Sequence, residues 1–333
     1  MGRASKPRAG SLQYWPRKRA RRYYPRIRSW KRTNELKLLG FCGYKVGMTH
    51  LLVKDSNPHS ATKEEQIFTP VTIIECPPLK IYSIRFYKKD DYGIKALTDI
   101  LNPKLDKEIS RKIKLPKKYN KKLEDIKLDG IHDIKLVVYT QPKLTKLEKK
   151  KPEIFEISIG SNSINEKLDF AKSLLDKEIK LSDYFKPGQF IDVHAVTKGK
   201  GLQGPVKRFG IQLKSHKSEK KRRAPANLGS WHPAKVSFRV PQKGQMGLHT
   251  RTMYNNLILD ISNDLKKITP KSGFKHYGIL KNDYLIIKGS IPGPHKRLIR
   301  FSDSIRSFRK SHPINIAYIS VKNESWHPWF KCK

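Results

Sequence analysis

The sequence predicts a mainly β protein built on a small antiparallel barrel, with an α+β block inserted between barrel strands and two long basic segments outside the core. Three observations carry that prediction. Short β-branched and aromatic runs punctuated by Gly and Pro recur on both sides of the chain's middle. The middle mixes charges of both signs and shows helical apolar spacing. The formal net charge of +42 over 333 residues is concentrated in two stretches with almost no apolar periodicity.

In chain order, residues 1–37 read as a basic N-terminal tail, with thirteen Lys and Arg against one acid, Glu35. Strands are expected at 38–53, 69–76 and 80–87, so that 38–87 supplies the first part of the barrel. Residues 88–182 hold 23 basic and 16 acidic side chains, the pattern of an ordinary solvated surface. This block predicts an inserted helical module. Its signals are Ile109 and Ile113, an N-cap at Asn162 or Ser163, and Ile164, Leu168, Ala171, Leu174 and Leu175 on one helical face. Strands at 134–139 and 153–159 accompany it. The barrel resumes at 183–197, is interrupted by a long basic loop over 198–243, and finishes within 244–323, with strands expected at 190–197, 235–240 and 284–294. Residues 324–333 form a C-terminal tail with no assigned role.

With roughly 100 to 200 residues per domain, the length allows two or three modules. At 37% hydrophobic and 10% aromatic residues, there is apolar material for a core. Cys42, Cys76 and Cys332 are scattered and form no CxxC pair, which argues against a disulfide framework or a zinc knuckle and for a reducing compartment. No apolar run approaches the roughly 18 residues of a spanning helix, and the basic start lacks a signal-peptide core. The expectation is a protein neither secreted nor membrane-spanning, whose excess charge is matched by a polyanion.

The tail interleaves Tyr14, Trp15, Tyr23, Tyr24 and Trp30 with Arg17, Lys18, Arg19, Arg21 and Arg22. Arginine makes bidentate phosphate contacts, and rings stack on unpaired bases, so such a segment can track a folded RNA; a solubilising or import tail would not need five aromatics. Gly199, Gly201 and Gly204 match GxGxxG, with Glu219 near the ribose-binding offset. The required βαβ context is missing, however, and a turn that lets backbone approach phosphate beside Lys198, Lys200, Lys207 and Arg208 explains the glycines better. The rest of the loop carries His216, Lys220, Lys221, Arg222, Arg223, Trp231, His232 and Lys243, with His249 and Arg251 just beyond. Loops longer than about 15 residues are usually functional or disordered. From the residues alone, Trp231 can pack back on the barrel or stack on RNA. Between 198 and 259 the only acid is Glu219, so no carboxylate orients His232 or His249 for catalysis. Neither an active site nor a cofactor or metal site is expected.

GFCGYKVGMTH (40–50), VTKGKGLQG (196–204), LGSWHPAKV (228–236), VPQKGQMGLHTRT (240–252) and PRKRA (16–20) together resemble the large ribosomal subunit protein three family in its archaeal form. The resemblance implies a six-stranded barrel of the translation-protein type with an inserted helical domain. It implies a structural protein, not an enzyme, that binds large-subunit ribosomal RNA early in assembly, one copy per ribosome. By the same resemblance its neighbours are large-subunit proteins of families thirteen and fourteen, and Trp231 sits at a loop tip near the peptidyl transferase centre. Leu202, Pro205 and Phe209 depart from the family pattern, and the segment around His216 aligns loosely. An RNA-modifying enzyme and a general nucleic-acid-compacting protein are the rival readings.

Overall fold

The computed structural model describes residues 10–116, 130–218, 221–306 and 314–321. They form two compact units, Met1–Tyr23 with Val196–Arg251 and Tyr24–Ala195 with Thr252–Lys333. The second unit holds the main core. Its chain runs through β1 (Gly40–Lys54), β2 (Gln66–Glu75), β3 (Leu79–Asp90), β4 (Gly93–Leu101), β5 (Ile131–Thr140), β6 (Ile154–Ser158) and helix α1 (Ile164–Leu174) to β7 (Phe190–Val196). After the excursion into the first unit, which contains β8 (Leu202–Gln203), α2 (Pro205–Phe209) and β9 (Gly244–Gln245), it returns through β10 (Thr250–Ser262), β11 (Tyr284–Lys288), β12 (Leu298–Asp303) and β13 (Asn315–Ile319).

The larger sheet has the order β12-β7-β10-β11-β2-β1-β13, and β12 also pairs with β1, so six of its strands close into a ring. Closure uses the first third of β1. Gly40–Tyr44 pairs with Leu298–Ser302, while Leu51–Lys54 at the other end of the strand pairs with β13. Gly43 lies where backbones crowd: a Cβ there would meet Cys76 Sγ and the Glu75 carbonyl at 2.6 Å. The strands' buried residues are those that hydrophobic burial selects, among them Phe41, Tyr44, Ile73, Ile74, Val193, Leu285, Ile287, Ile299 and Phe301, all essentially inaccessible.

The smaller sheet has the order β4-β3-β5-β6. Residues 80–87, expected in the barrel, lie in this sheet as part of β3. The reason is Pro77 and Pro78, which cannot continue the β2 ladder; beyond them Leu79 takes up its register opposite Thr140 of β5. Among its described residues the middle block therefore holds more strand than helix, with one eleven-residue α-helix. Mixed charge reports a solvated face and not its secondary structure. The helix begins after Ser163 and buries Leu168, Ala171 and Leu174, the expected face. Its N-terminus is organised by Ser161, whose hydroxyl donates to Glu166 and accepts from the Ser163 amide at 3.1 Å. Ile109 is buried in a short 3-10 turn, and Ile113 is exposed.

Three further differences follow from tertiary context. Residues 235–240, expected as a strand, have no partner strand and adopt turns. The expected tail 1–37 divides at Tyr24, because Tyr24 and Ile27 are buried and Trp30 packs on the core of the second unit. Strand β12 was invisible to alternation because its polar residues Arg300, Ser302 and Asp303 are as buried as its apolar ones.

Arg300 explains the last two together. Its Nη1 donates to the Pro25 carbonyl at 3.0 Å and its Nη2 to the Glu156 carbonyl, while the guanidinium lies 4.3 Å from the Phe155 ring centroid. Burial holds its pKa down to about 10, still far above neutrality. Tyr24 adds a hydroxyl bond to the Ile154 carbonyl at 2.9 Å. Next to Arg300 across the ladder, His194 places its ring between Thr252 Oγ1 at 3.0 Å and Ser302 Oγ at 3.1 Å. Burial first, then the Arg300 charge, holds its pKa down to about 4.

Two outcomes are expected. Arg300→Lys, which keeps a charge but cannot span both carbonyls, lowers unfolding stability by about 2 to 3 kcal/mol in urea titrations. His194 is neutral when folded and protonates near its ordinary value of 6.5 when unfolded, so its contribution is complete above pH 6.5 and is lost as pH falls toward 4. Across that window the loss is about 2 to 3 kcal/mol, and His194→Gln, measured beside the wild type, shows a flatter pH profile.

Candidate nucleic-acid interface

The first unit is assembled from the two most basic parts of the chain. Residues 10–23 of the tail meet the root of the long loop through a small aromatic cluster. Trp15 stacks on Phe209 with centroids 5.7 Å apart and meets Phe238 edge-on at 5.7 Å. The Arg17 guanidinium lies 4.3 Å from the Phe209 centroid, and Arg251 lies 4.3 Å from that of Tyr14. Trp15, expected to reach for RNA, is half-buried, with its ring engaged by Phe209 and Phe238. Phe238 explains what residues 235–240 do: they deliver an aromatic edge instead of a ladder.

The loop root is closed by a two-stranded ladder, Leu202 opposite Gln245 and Gln203 opposite Gly244. Arg208 ties it further, donating from Nε to the Gln245 carbonyl at 3.0 Å and from Nη1 to the Gln242 carbonyl at 3.1 Å. Arg17 Nη1 donates in turn to the Arg208 carbonyl at 3.1 Å. Gly247 has φ of +73°, and a Cβ would lie 2.0 Å from the Lys198 carbonyl, so only glycine fits where the two loop arms cross. The GxGxxG pattern resolves as turn chemistry. The segment after Gly204 is the five-residue helix α2, ended by Gly210 in the left-handed region, and β8 pairs antiparallel with β9, so no dinucleotide-binding βαβ unit is present.

Six of the expected site residues, Arg17, Lys198, Lys200, Arg208, His249 and Arg251, line one pocket of about 300 Å³. Thr197, Gln245, Met246 and Gly247 complete its wall; they lie in the family-resembling blocks 196–204 and 240–252 but are not singled out there as site residues. His249 is fixed by two bonds: its amide donates to Thr197 Oγ1 at 3.1 Å and its Nδ1 donates to the Lys18 carbonyl at 2.9 Å. Burial, with Arg251, Arg17 and Arg208 adding to it, pushes its pKa below the ordinary value despite that bond. The site thus disfavours the protonated imidazole. The pocket's positive charge comes mainly from its lysines and arginines.

The remaining expected residues are dispersed. Lys18, Arg19, Arg21 and Arg22 lie exposed along the tail, and Lys207 on α2. His216, Lys221, Arg222, Arg223, His232 and Lys243 are exposed along the loop, whereas Lys220 falls outside the described residues. Trp231 is 87% exposed, which removes the reading that it packs into a core. Phe209 and Phe238 were missed as organisers because an apolar residue in a basic loop gives no sign of which ring it will meet. Among the described residues no group of three His, Cys, Asp or Glu could hold a metal ion.

Comparison with known proteins adds a separate line of observation. A model of the family described as Ribosomal protein L3 matches residues 1–324. The chain is 47% identical to the large ribosomal subunit protein uL3 of Methanobrevibacter smithii, over 97% of its own length and 99% of the relative's. It is 45% identical to the proteins of the same name from Methanocaldococcus jannaschii and Archaeoglobus fulgidus, in each case over 96% of this chain and 98% of the relative.

The aromatic cluster yields a direct expectation. Trp15→Ala removes the ring that holds the tail on Phe209, at a cost of about 2 to 4 kcal/mol to that local packing. Trypsin then cleaves faster at Arg17 to Arg22, while the main unfolding transition, which reports the second unit's core, stays where it is; equal cleavage rates would count against the cluster as the tail's anchor.

Proposed function

Since the chain belongs to the ribosomal protein L3 family, we propose that it is a structural constituent of the large ribosomal subunit, working in the cytoplasm, and that it binds large-subunit ribosomal RNA through the unit built from tail and loop. The observation that supports this most is the convergence of five lysines and arginines around one pocket, with further basic side chains exposed on both flanking segments. Acids are almost absent there, so the charge has no internal counterion and its match is a polyanion. The relatives are named as ribosomal proteins, and the chain is a structural protein and not an enzyme.

On this reading the closed sheet is the translation-protein-type barrel, and the smaller sheet with α1 is the inserted domain. Arg17 and Arg208 are committed to protein carbonyls and act mainly by shaping the site. Lys198, Lys200 and the exposed Lys18, Arg19, Arg21 and Arg22 meet phosphates. The long loop reaches toward the peptidyl transferase centre, with Trp231 free to stack on a base near its tip. Binding early in assembly, one copy per ribosome, and contacts with neighbours of families thirteen and fourteen complete the proposal.

If about ten phosphates are neutralised, log K falls with log salt at a slope of roughly −9, measurable by filter binding to transcribed large-subunit RNA. A slope near zero would rule out a phosphate-driven complex. Trp231→Ala, which removes an exposed ring, shifts unfolding stability by less than about 0.5 kcal/mol. It weakens a local RNA contact by about 1 to 3 kcal/mol, read as altered peptide-bond formation by mutant ribosomes. Reduced stability with normal peptide-bond formation would overturn the stacking role.

A further inference from the structure

A third basic surface lies in the second unit, outside both the tail and the loop. Residues 265–301 contain nine lysines and arginines and one acid, Asp283. Strands β11 and β12 run through this stretch and dilute its charge in any linear count. The fold gathers part of it at one place, where the segment 271–279 meets the turn 289–297.

The meeting is specific. The rings of His276 and His295 are 6.0 Å apart at 60°. His295 Nδ1 donates to the Val46 carbonyl, and the Lys296 amide donates to the Lys45 carbonyl at 2.8 Å, so the turn is seated on β1. Beneath it, Lys45 is buried, and its ammonium donates to the carbonyls of Ile291 at 2.7 Å and Gly293 at 3.1 Å. Gly47 leaves room beside Phe274 and His295, whose atoms would stand 3.6 and 3.7 Å from a Cβ. His276, His295 and Lys296 are exposed at this seat, and Lys271 and Lys275 are exposed on the segment that carries His276.

The backbone adds an independent observation. His276 has φ of +65° and Lys296 φ of +66°, the left-handed region where glycine is cheapest. Two facing turns thus each hold a basic side chain at a position where backbone economy favours glycine. Strain of this kind collects where side-chain chemistry is needed.

We propose that this rim, formed by Lys271, Lys275, His276, His295 and Lys296, is a second phosphodiester-binding surface for folded RNA, separate from the tail-and-loop unit. The lysines neutralise backbone phosphates, and the paired imidazoles offer a ring nitrogen for hydrogen bonding or a stacking face to an adjacent nucleotide. The proposal rests on the large-subunit RNA reading given above.

The test uses the full chain and transcribed large-subunit RNA, with affinity measured against salt. Lys271→Gln/Lys275→Gln/Lys296→Gln makes the slope of log K shallower by about 2 to 3 with the thermal midpoint unchanged. His276→Gly/Lys296→Gly relieves the left-handed backbone, so it keeps or raises the midpoint and still weakens binding. A wild-type slope and affinity in both variants would overturn the proposal, whatever the midpoint does. Lys198→Gln/Lys200→Gln is measured alongside: weaker binding there with none at the rim sinks the second surface alone. Wild-type chain that ignores RNA sinks both readings.

Discussion

Arg300 is the residue on which the second unit converges. It lies in β12, the strand whose pairing with β1 closes the larger sheet, and it faces Cys42 on one side and His194 on the other. Its two terminal nitrogens reach the carbonyls of Pro25 and Glu156, which belong to the N-terminal segment and to the smaller sheet. A fully buried guanidinium is expensive to desolvate, and burial does lower its pKa, but carbonyl partners and the Phe155 face keep it charged. One side chain therefore joins ring closure, second sheet and tail. Deleting its bonds leaves acceptors unmet on two pieces of chain at once, which ties the placement of both to the closing strand.

The first unit solves a different problem. Few apolar residues are available there, and like charges repel. Its cohesion comes from planar contacts: Trp15 on Phe209, Arg17 over the same ring, and Arg208 bonded to the carbonyls of the loop's returning arm. Arginine suits both tasks because its fork can satisfy carbonyls while its face rests on an aromatic. Lysines, with compact and strongly hydrated charges, are left at the surface. This division of labour within one basic population separates side chains that build the site from side chains that can leave water for phosphate.

Much of this was legible in residue order, and the failures have identifiable causes. The helical face of Leu168, Ala171 and Leu174 was readable because burial on one side of a helix imposes its period. The concentration of charge in tail and loop was readable because it is a local count. The transfer of residues 80–87 to the smaller sheet was not, since a β-branched run looks the same in either sheet. Strand β12 escaped because Arg300, Ser302 and Asp303 are buried polar groups whose partners lie far along the chain. The rim around His276 and His295 escaped because its two halves are separated by a buried strand.

By itself, the sequence determined that this protein is mainly β, that it carries an excess of positive charge in two long segments, and, through its family motifs, what class of partner that charge meets. These are properties of composition and short-range pattern. Only the tertiary structure decided which arginines are braces and which basic groups line a pocket, that Trp15 stacks on Phe209 while Trp231 stands in solvent, and that His249 is held toward its neutral form among arginines. The physical reason is that desolvation, hydrogen-bond satisfaction and ring packing depend on neighbours in space, and for Arg17 and Arg300 those neighbours lie 191 and 275 residues away.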